Sequence, residues 1–192
     1  CGPVNPGAAA FVDGTRISMA KANDYADSYC LISLMSAQQQ GTTSLDNAMI
    51  RRQALTELIV AARADSIAKK AGYDVKPQSL GAADLAQIKE IFGDEADQII
   101  ELIERNQRTS AIAAKIAAEA GVKSQDQNQL AQAGFELLMK QFEGQDLKVD
   151  PRFGLSDGLE QTSQTGSLST SISALENTDP ASLPQALQCK SS

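Results

Sequence analysis

Residues 44–72, SLDNAMIRRQALTELIVAARADSIAKKAG, limit the fold more than any other stretch. Leu45, Ala48 and Met49, then Leu55, Leu58, Ile59 and Ala62, recur at three- and four-residue spacing. That period lines them along one face of an α-helix, and so long an apolar face has to be buried against other elements. Ser44 reads as the start of the helix and Gly72 as its end, with Lys69 and Lys70 suited to the negative end of the helix dipole. Its partners must be of the same kind. Apolar residues form 42% of the 192-residue chain, but aromatic residues only 4%, and there is no Trp. A core made of Leu, Ile and Ala favours closely packed helices over a β-sandwich. The length supports one domain, or one domain and a tail.

The other segments follow from local signals. Phe11-Val12 and Thr15-Arg16-Ile17 flank Asp13-Gly14 and read as a hairpin, because both central residues of a type I′ turn need positive φ. Ser18 is placed to cap a helix from Met19 that carries Ala22, Tyr25, Ala26, Tyr29 and Ile32 on one face and breaks at Gly41-Thr42-Thr43. YDVKP is an extended connector, in which Pro77 keeps Lys76 out of helix. AADLAQIKEIF is a third helix, ending at Gly93. Asp94 is expected to cap a long fourth helix reaching Gly121, with Glu101–Arg105 and Glu104–Arg108 in the favourable i,i+4 order. The Ala-rich second half of that helix admits a close helical neighbour. A last helix over 126–142 places Ala131, Phe135, Leu138 and Phe142 on one side, and Leu147-Lys148-Val149 is a strand stopped by Asp150-Pro151. Residues 155–179 hold ten Ser or Thr, too polar to fold alone, so this segment is either disordered or draped over the helices. The expected organisation is a tether over 1–7, a helical domain over 8–154 and a Ser/Thr-rich tail over 155–192. The expected fold class is mainly α, with a small β-sheet formed by the N-terminal hairpin and a C-terminal strand.

Much chemistry is excluded. The chain has no histidine, which removes Ser-His-Asp and Cys-His catalysis, the usual zinc enzymes and any imidazole general base. No Gly-rich phosphate loop occurs. A net charge of −7, unbroken by any Lys/Arg cluster, argues against nucleic acid as a partner. No stretch approaches the ~20 apolar residues of a spanning helix. Asp94, Glu95 and Asp97 form one dense acidic cluster. Carboxylates in a helix's first turn are ordinary capping chemistry, and a metal there would need further oxygen ligands from elsewhere. The chain therefore reads as non-enzymatic, with no catalytic residue, cofactor or metal. Asn106, Gln107, Thr109 and Ser110 interrupt an apolar helix and either line a polar groove or form an interhelical hydrogen-bonding patch. Met19, Met35, Met49 and Met139 either fill the core or offer an adaptable surface to varied peptides.

Three cysteines bear on location. Cys1-Gly2, followed by a loose Pro/Gly/Asn stretch, has the form of a bacterial lipoprotein after signal-peptide cleavage, with the lipid on Cys1. A chain trimmed at an arbitrary point is the alternative. Setting Cys1 aside leaves an even pair, Cys30 and Cys189, which in an oxidising compartment would bridge the far C-terminus to the first helix. Two unrelated thiols are the alternative. The expected place is the extracytoplasmic face of the cell membrane, held by a lipid.

Two stretches carry a family resemblance. AAAFVDGTRIS resembles the opening strand–turn–strand of the N-terminal domain of SurA-type periplasmic chaperones and related extracytoplasmic foldases. RRQALTELIVAARADSIAKKAGYDVKPQSL resembles the signature helix of that domain through Arg51, Leu55, Glu57, Leu58 and Ile59, then Gly72 and the connector at Val75. LKVDPRFG resembles the closing strand, and the likeness extends over residues 8–154. Many members also carry a parvulin prolyl-isomerase domain, for which these 192 residues have neither the length nor the histidines, so isomerase activity is not expected to carry over. The resemblance implies the binding half alone: a helical domain offering apolar grooves to unfolded or partner polypeptide. Met35, Phe92 and Met139 are the candidate peptide-binding side chains. An accessory subunit docked on an integral membrane complex is the alternative role.

Overall fold

Asp13 (φ 50°) and Gly14 (φ 77°) both take the left-handed backbone that a type I′ turn requires. They join strands β1 (Ala8–Val12) and β2 (Thr15–Ser18). Ser18 ends β2 and at once caps α1 (Met19–Gln38), its hydroxyl accepting the Lys21 amide N–H at 3.1 Å. Ala22, Tyr25 and Ala26 are buried as their spacing predicts, whereas Tyr29 and Ile32 are half-buried and the buried side passes to Leu34. The computed structural model describes residues 7–76, 79–140, 147–162 and 180–189. The expectations for Cys1 and residues 2–6 of its tether, for Pro77, for Phe142 and for the tail over 163–179 lie outside the described residues.

The long helix starts later than its sequence pattern suggests. Leu45–Asp46 form strand β3, and Asp46 Oδ1 accepts the Ala48 N–H at 2.8 Å, so Asp46 rather than Ser44 opens α2 (Asn47–Ala71). The apolar face moves with it. Ala48 and Met49 are exposed, Ile50 is buried in their place, and Ala54, Leu55, Leu58 and Ile59 continue the row. Between Leu58 and Ala64 the helix is buried on more than one side.

Helix α3 (Ala82–Phe92) has the expected bounds. The start of the next helix differs: the Ala96 N–H bonds back to the Gly93 carbonyl and winds Gly93–Glu95 into a tighter 3-10 turn, so Asp94 does not cap α4 (Ala96–Glu119). Arg105 pairs with Glu101 as spaced. Arg108 does not turn to Glu104; it bonds Asp65 at 2.9 Å and the Val75 carbonyl, fastening the end of α2 and the connector to α4. Helix α5 (Gln127–Lys140) is opened by Asp126, whose Oδ1 accepts the Asn128 N–H at 2.8 Å. Its buried row is Leu130, Gly134 and Leu138; of the expected row Leu138 is buried, whereas Ala131 and Phe135 are half-buried. The cause is Gly134: a Cβ there would lie 1.8 Å from the Ala113 carbonyl oxygen of α4. The two backbones approach more closely than any side chain at that position permits.

Strand β4 (Leu147–Val149) completes a sheet in the order β2–β1–β4, and the Asp150 N–H extends the pairing to the Ala9 carbonyl at 2.9 Å. The protein is thus mainly helical, with a small antiparallel sheet formed by the N-terminal strands and a C-terminal strand. A second sheet arises from β5 (Gln188–Cys189), antiparallel to β3 in the register Leu45↔Cys189 and Asp46↔Gln188. The chain divides into two compact units, one of residues 1–11, 16–57 and 148–192 and the other of residues 12–15 and 58–147. Alanines 8–10, Tyr25, Leu34, Ile50, Leu55 and Phe153 are core residues of the first. Ile59, Ile99, Ile112 and Leu138 are among the fully buried side chains of the second.

Candidate functional site

The row of α5 left outside the core forms a groove. Within the second unit an open groove of about 760 Å³ is lined by Ser110 of α4 and by Asn128, Ala131, Gln132, Phe135, Glu136, Met139 and Lys140 of α5. The α5 residues recur at three- and four-residue steps and therefore share one helical face. Ala131 and Phe135, placed by the sequence on one side of this helix with Leu138, are half-buried groove wall, Ala131 also packing against Ala114, Ala117 and Leu130, because the neighbouring Leu130–Gly134–Leu138 row is the one pressed onto α4. Phe135 is half-buried and Met139 is 39% exposed. Two amides, a hydroxyl and one charge of each sign accompany these apolar side chains. Such a lining can hold apolar side chains of a ligand while offering hydrogen bonds to its backbone.

The sequence-predicted site residues separate. Met139 lines the groove, Phe92 ends α3 in the same unit and is half-buried, and Met35 belongs to the first unit at 37% exposure. Of the polar residues in mid-α4, Ser110 alone lines the groove. Thr109 is buried and its hydroxyl donates to the Arg105 carbonyl one turn back, at 2.9 Å. Gln107 Oε1 is buried with no hydrogen-bond partner among the described residues. The sequence signal for the groove was the apolar row Ala131–Phe135–Leu138, of which Leu138 is buried, Ala131 packs at the edge of the core against Ala114, Ala117 and Leu130, and Phe135 is half-buried in the groove wall.

Cys30 and Cys189 form a disulfide with Cα atoms 5.9 Å apart. Cys189 is buried with Leu34 and Ile50, and Tyr29, Cys30 and Leu45 pack against them. Beside this cluster, polar side chains join α1 to α2. The Tyr25 hydroxyl donates to Glu57 Oε2 at 3.1 Å. Burial first, and then the charge and hydrogen bond of Glu57, push the Tyr29 phenol up to about 12. Arg51 donates to Asn23 Oδ1 at 2.8 Å and lies over the Phe153 ring, 5.5 Å from its centroid. Burial, reinforced by Asp24 and opposed by Arg51, raises the Asp27 carboxyl above its ordinary value. Arg51 and Glu57, which carry part of the family resemblance, thus spend their polar groups inside the fold.

Asp94, Glu95 and Asp97 are exposed at the head of α4, and among the described residues no group of three or more acidic or cysteine side chains is placed to hold a metal ion. Among the described residues no helix is long and apolar enough to cross a membrane. Compared with known proteins, the chain matches no family model, no curated protein and no solved structure.

Proposed function

We propose that this protein is a non-enzymatic, extracytoplasmic lipoprotein that binds unfolded or partner polypeptide in the manner of a SurA-like chaperone. The observation that carries the reading is the α5 groove, whose apolar side chains Ala131, Phe135 and Met139 stand among hydrogen-bonding groups. Apolar contacts from an adaptable Met and an aromatic ring supply affinity without demanding one sequence. The Cys30–Cys189 bond supports an oxidising compartment, and the lipid on Cys1 is the proposed attachment to the membrane. A single acyl chain anchors weakly, so stable attachment calls for two or more. Anchored there, the groove would be concentrated where translocated chains emerge.

One observation favours a second reading, an accessory subunit of an integral membrane complex. Helix α3 has no buried residue and leaves Ile91 48% exposed, the kind of face a permanent partner covers. The two readings separate by experiment. A chaperone suppresses aggregation of several unrelated unfolded proteins, and Phe135→Asp or Met139→Asp abolishes that suppression while leaving the helical circular dichroism intact. A subunit co-purifies at fixed stoichiometry with one complex from detergent-solubilised envelope and leaves aggregation unchanged. Mass spectrometry of the native N-terminus should find diacylglycerol on Cys1, and a bare cysteine there removes the anchor from the proposal.

A further inference from the structure

We propose that β3 and the apolar cleft beside it are a strand-acceptor site for extended polypeptide, filled in this structure by the chain's own residues 180–189 and opened when the Cys30–Cys189 bond is reduced. The proposal deepens the polypeptide-binding reading and rests on it. Strands β3 and β5 have two residues each, far too few to hold together by pairing alone. What keeps β5 in place is the covalent bond and the burial of Cys189 against Leu34 and Ile50, while the Pro180–Ser182 turn packs beside β3 and Leu183 is buried. Within the segment, the Gln188 side-chain amide donates to the carbonyls of Ala181, at 3.2 Å, and Leu183, at 2.6 Å. It is a strap of the first unit with turns of its own, and its removal uncovers Leu34, Ile50 and Leu45.

The strap also shows what ligand the cleft takes. It is an extended backbone in antiparallel register with β3, with an apolar side chain opposite Leu45. Backbone pairing is indifferent to sequence, and one apolar pocket adds a modest preference, which is the recognition mode of strand addition. Opening requires a dithiol reductant. Its thiolate attacks the sulfur of Cys30, the less buried of the two cysteines, forming a mixed disulfide and releasing the Cys189 thiolate. The second thiol of the reductant then displaces Cys30, so two protein thiols and one reductant disulfide result and two electrons pass.

The test uses the full chain in three forms: oxidised, reduced with a dithiol, and Cys189→Asp, which places a charge where the strap is buried. The first probe is a fluorescent decapeptide of residues 180–189 with Cys189→Ala, and the second is a reduced, carboxymethylated unfolded protein. The decapeptide should bind Cys189→Asp at least tenfold more tightly than the oxidised chain, with the reduced chain between them because its tethered strap competes at high local concentration. Hydrogen exchange at residues 45–46 and 188–189 should accelerate at least tenfold on reduction while α4 and α5 stay protected. Equal decapeptide binding by the oxidised and Cys189→Asp forms overturns the proposal, as does unchanged exchange on reduction. Exchange in the reduced wild-type chain decides the matter if Cys189→Asp loses helix. Unfolded protein bound equally by the oxidised and Cys189→Asp forms also overturns the acceptor site, yet leaves general polypeptide binding standing. Decapeptide binding to Cys189→Asp, with no unfolded protein bound to any form, supports the acceptor site and removes the broader function.

Discussion

Asp13 does two jobs at one position. Its backbone takes the left-handed conformation at the hairpin turn, and its carboxylate pairs with the buried Arg63 guanidinium of α2. Both side chains are largely removed from water, at 8% and 14% exposure, so removing the carboxylate leaves a buried charge without its counterion. Breaking one side of such a pair costs about 3–5 kcal/mol. Asp13→Asn isolates the charge, because Asn tolerates the same backbone, and it should lower the urea unfolding free energy by about 3 kcal/mol with the hairpin retained. A loss under about 1 kcal/mol would mean that Arg63 reaches water. A second residue-scale effect follows from Tyr29. Its folded-state phenol is raised to about 12 against an ordinary 10, so the stability it contributes is complete below pH 10 and is lost as pH rises from 10 towards 12. Chemical denaturation across that window should give a shallower decline in Tyr29→Phe than in the wild-type chain, and identical slopes would contradict the assignment.

The elements show how a helix can carry two apolar rows with different duties. Helix α5 sets Leu130, Gly134 and Leu138 against α4 and leaves Ala131, Phe135 and Met139 for the groove. Gly134→Ala tests the close approach. In an exposed helix that change is favourable by about 1 kcal/mol, but here the new methyl meets the Ala113 backbone. Overpacking of this kind costs about 1–3 kcal/mol. The variant should therefore be destabilised in thermal unfolding, and a raised melting temperature would show that α4 and α5 can part without cost. The same helix explains what sequence could and could not reveal. The hairpin, the Ser18 cap, the bounds of α3 and the strand Leu147–Val149 were legible because turn residues and caps mark them locally. The face of α5 was not, since both rows satisfy helical periodicity. A glycine flanked four residues away on each side by leucines was the clue to the buried one. The phase of α2 slipped because Leu45 looks like part of its apolar row but belongs to β3. Strands of two residues carry no period, so β3 and β5 were foreshadowed only by the two cysteines.

On the scale of the whole molecule, the disulfide ties residues separated by 159 positions, so it restrains nearly the entire unfolded chain. On the chain-entropy account, closing a loop that long removes about 5 kcal/mol of unfolded-state freedom. The bond also holds β5 over Leu34 and Ile50, so its loss acts on the native state too, and the two contributions leave different signatures. Loosening the unfolded chain exposes more surface on unfolding and raises the urea m-value. Detaching the strap exposes apolar surface before unfolding and lowers it. The double variant Cys30→Ser/Cys189→Ser should lose up to about 5 kcal/mol with a raised m-value if the strap still docks. A released strap predicts a comparable loss with a reduced m-value and faster exchange at residues 45–46. Unchanged stability would mean that the bond contributes to neither state. Equilibrium urea unfolding of the oxidised, reduced and double-variant chains, with hydrogen exchange on the last two, assigns the bond's contribution to the unfolded chain or to the docked strap.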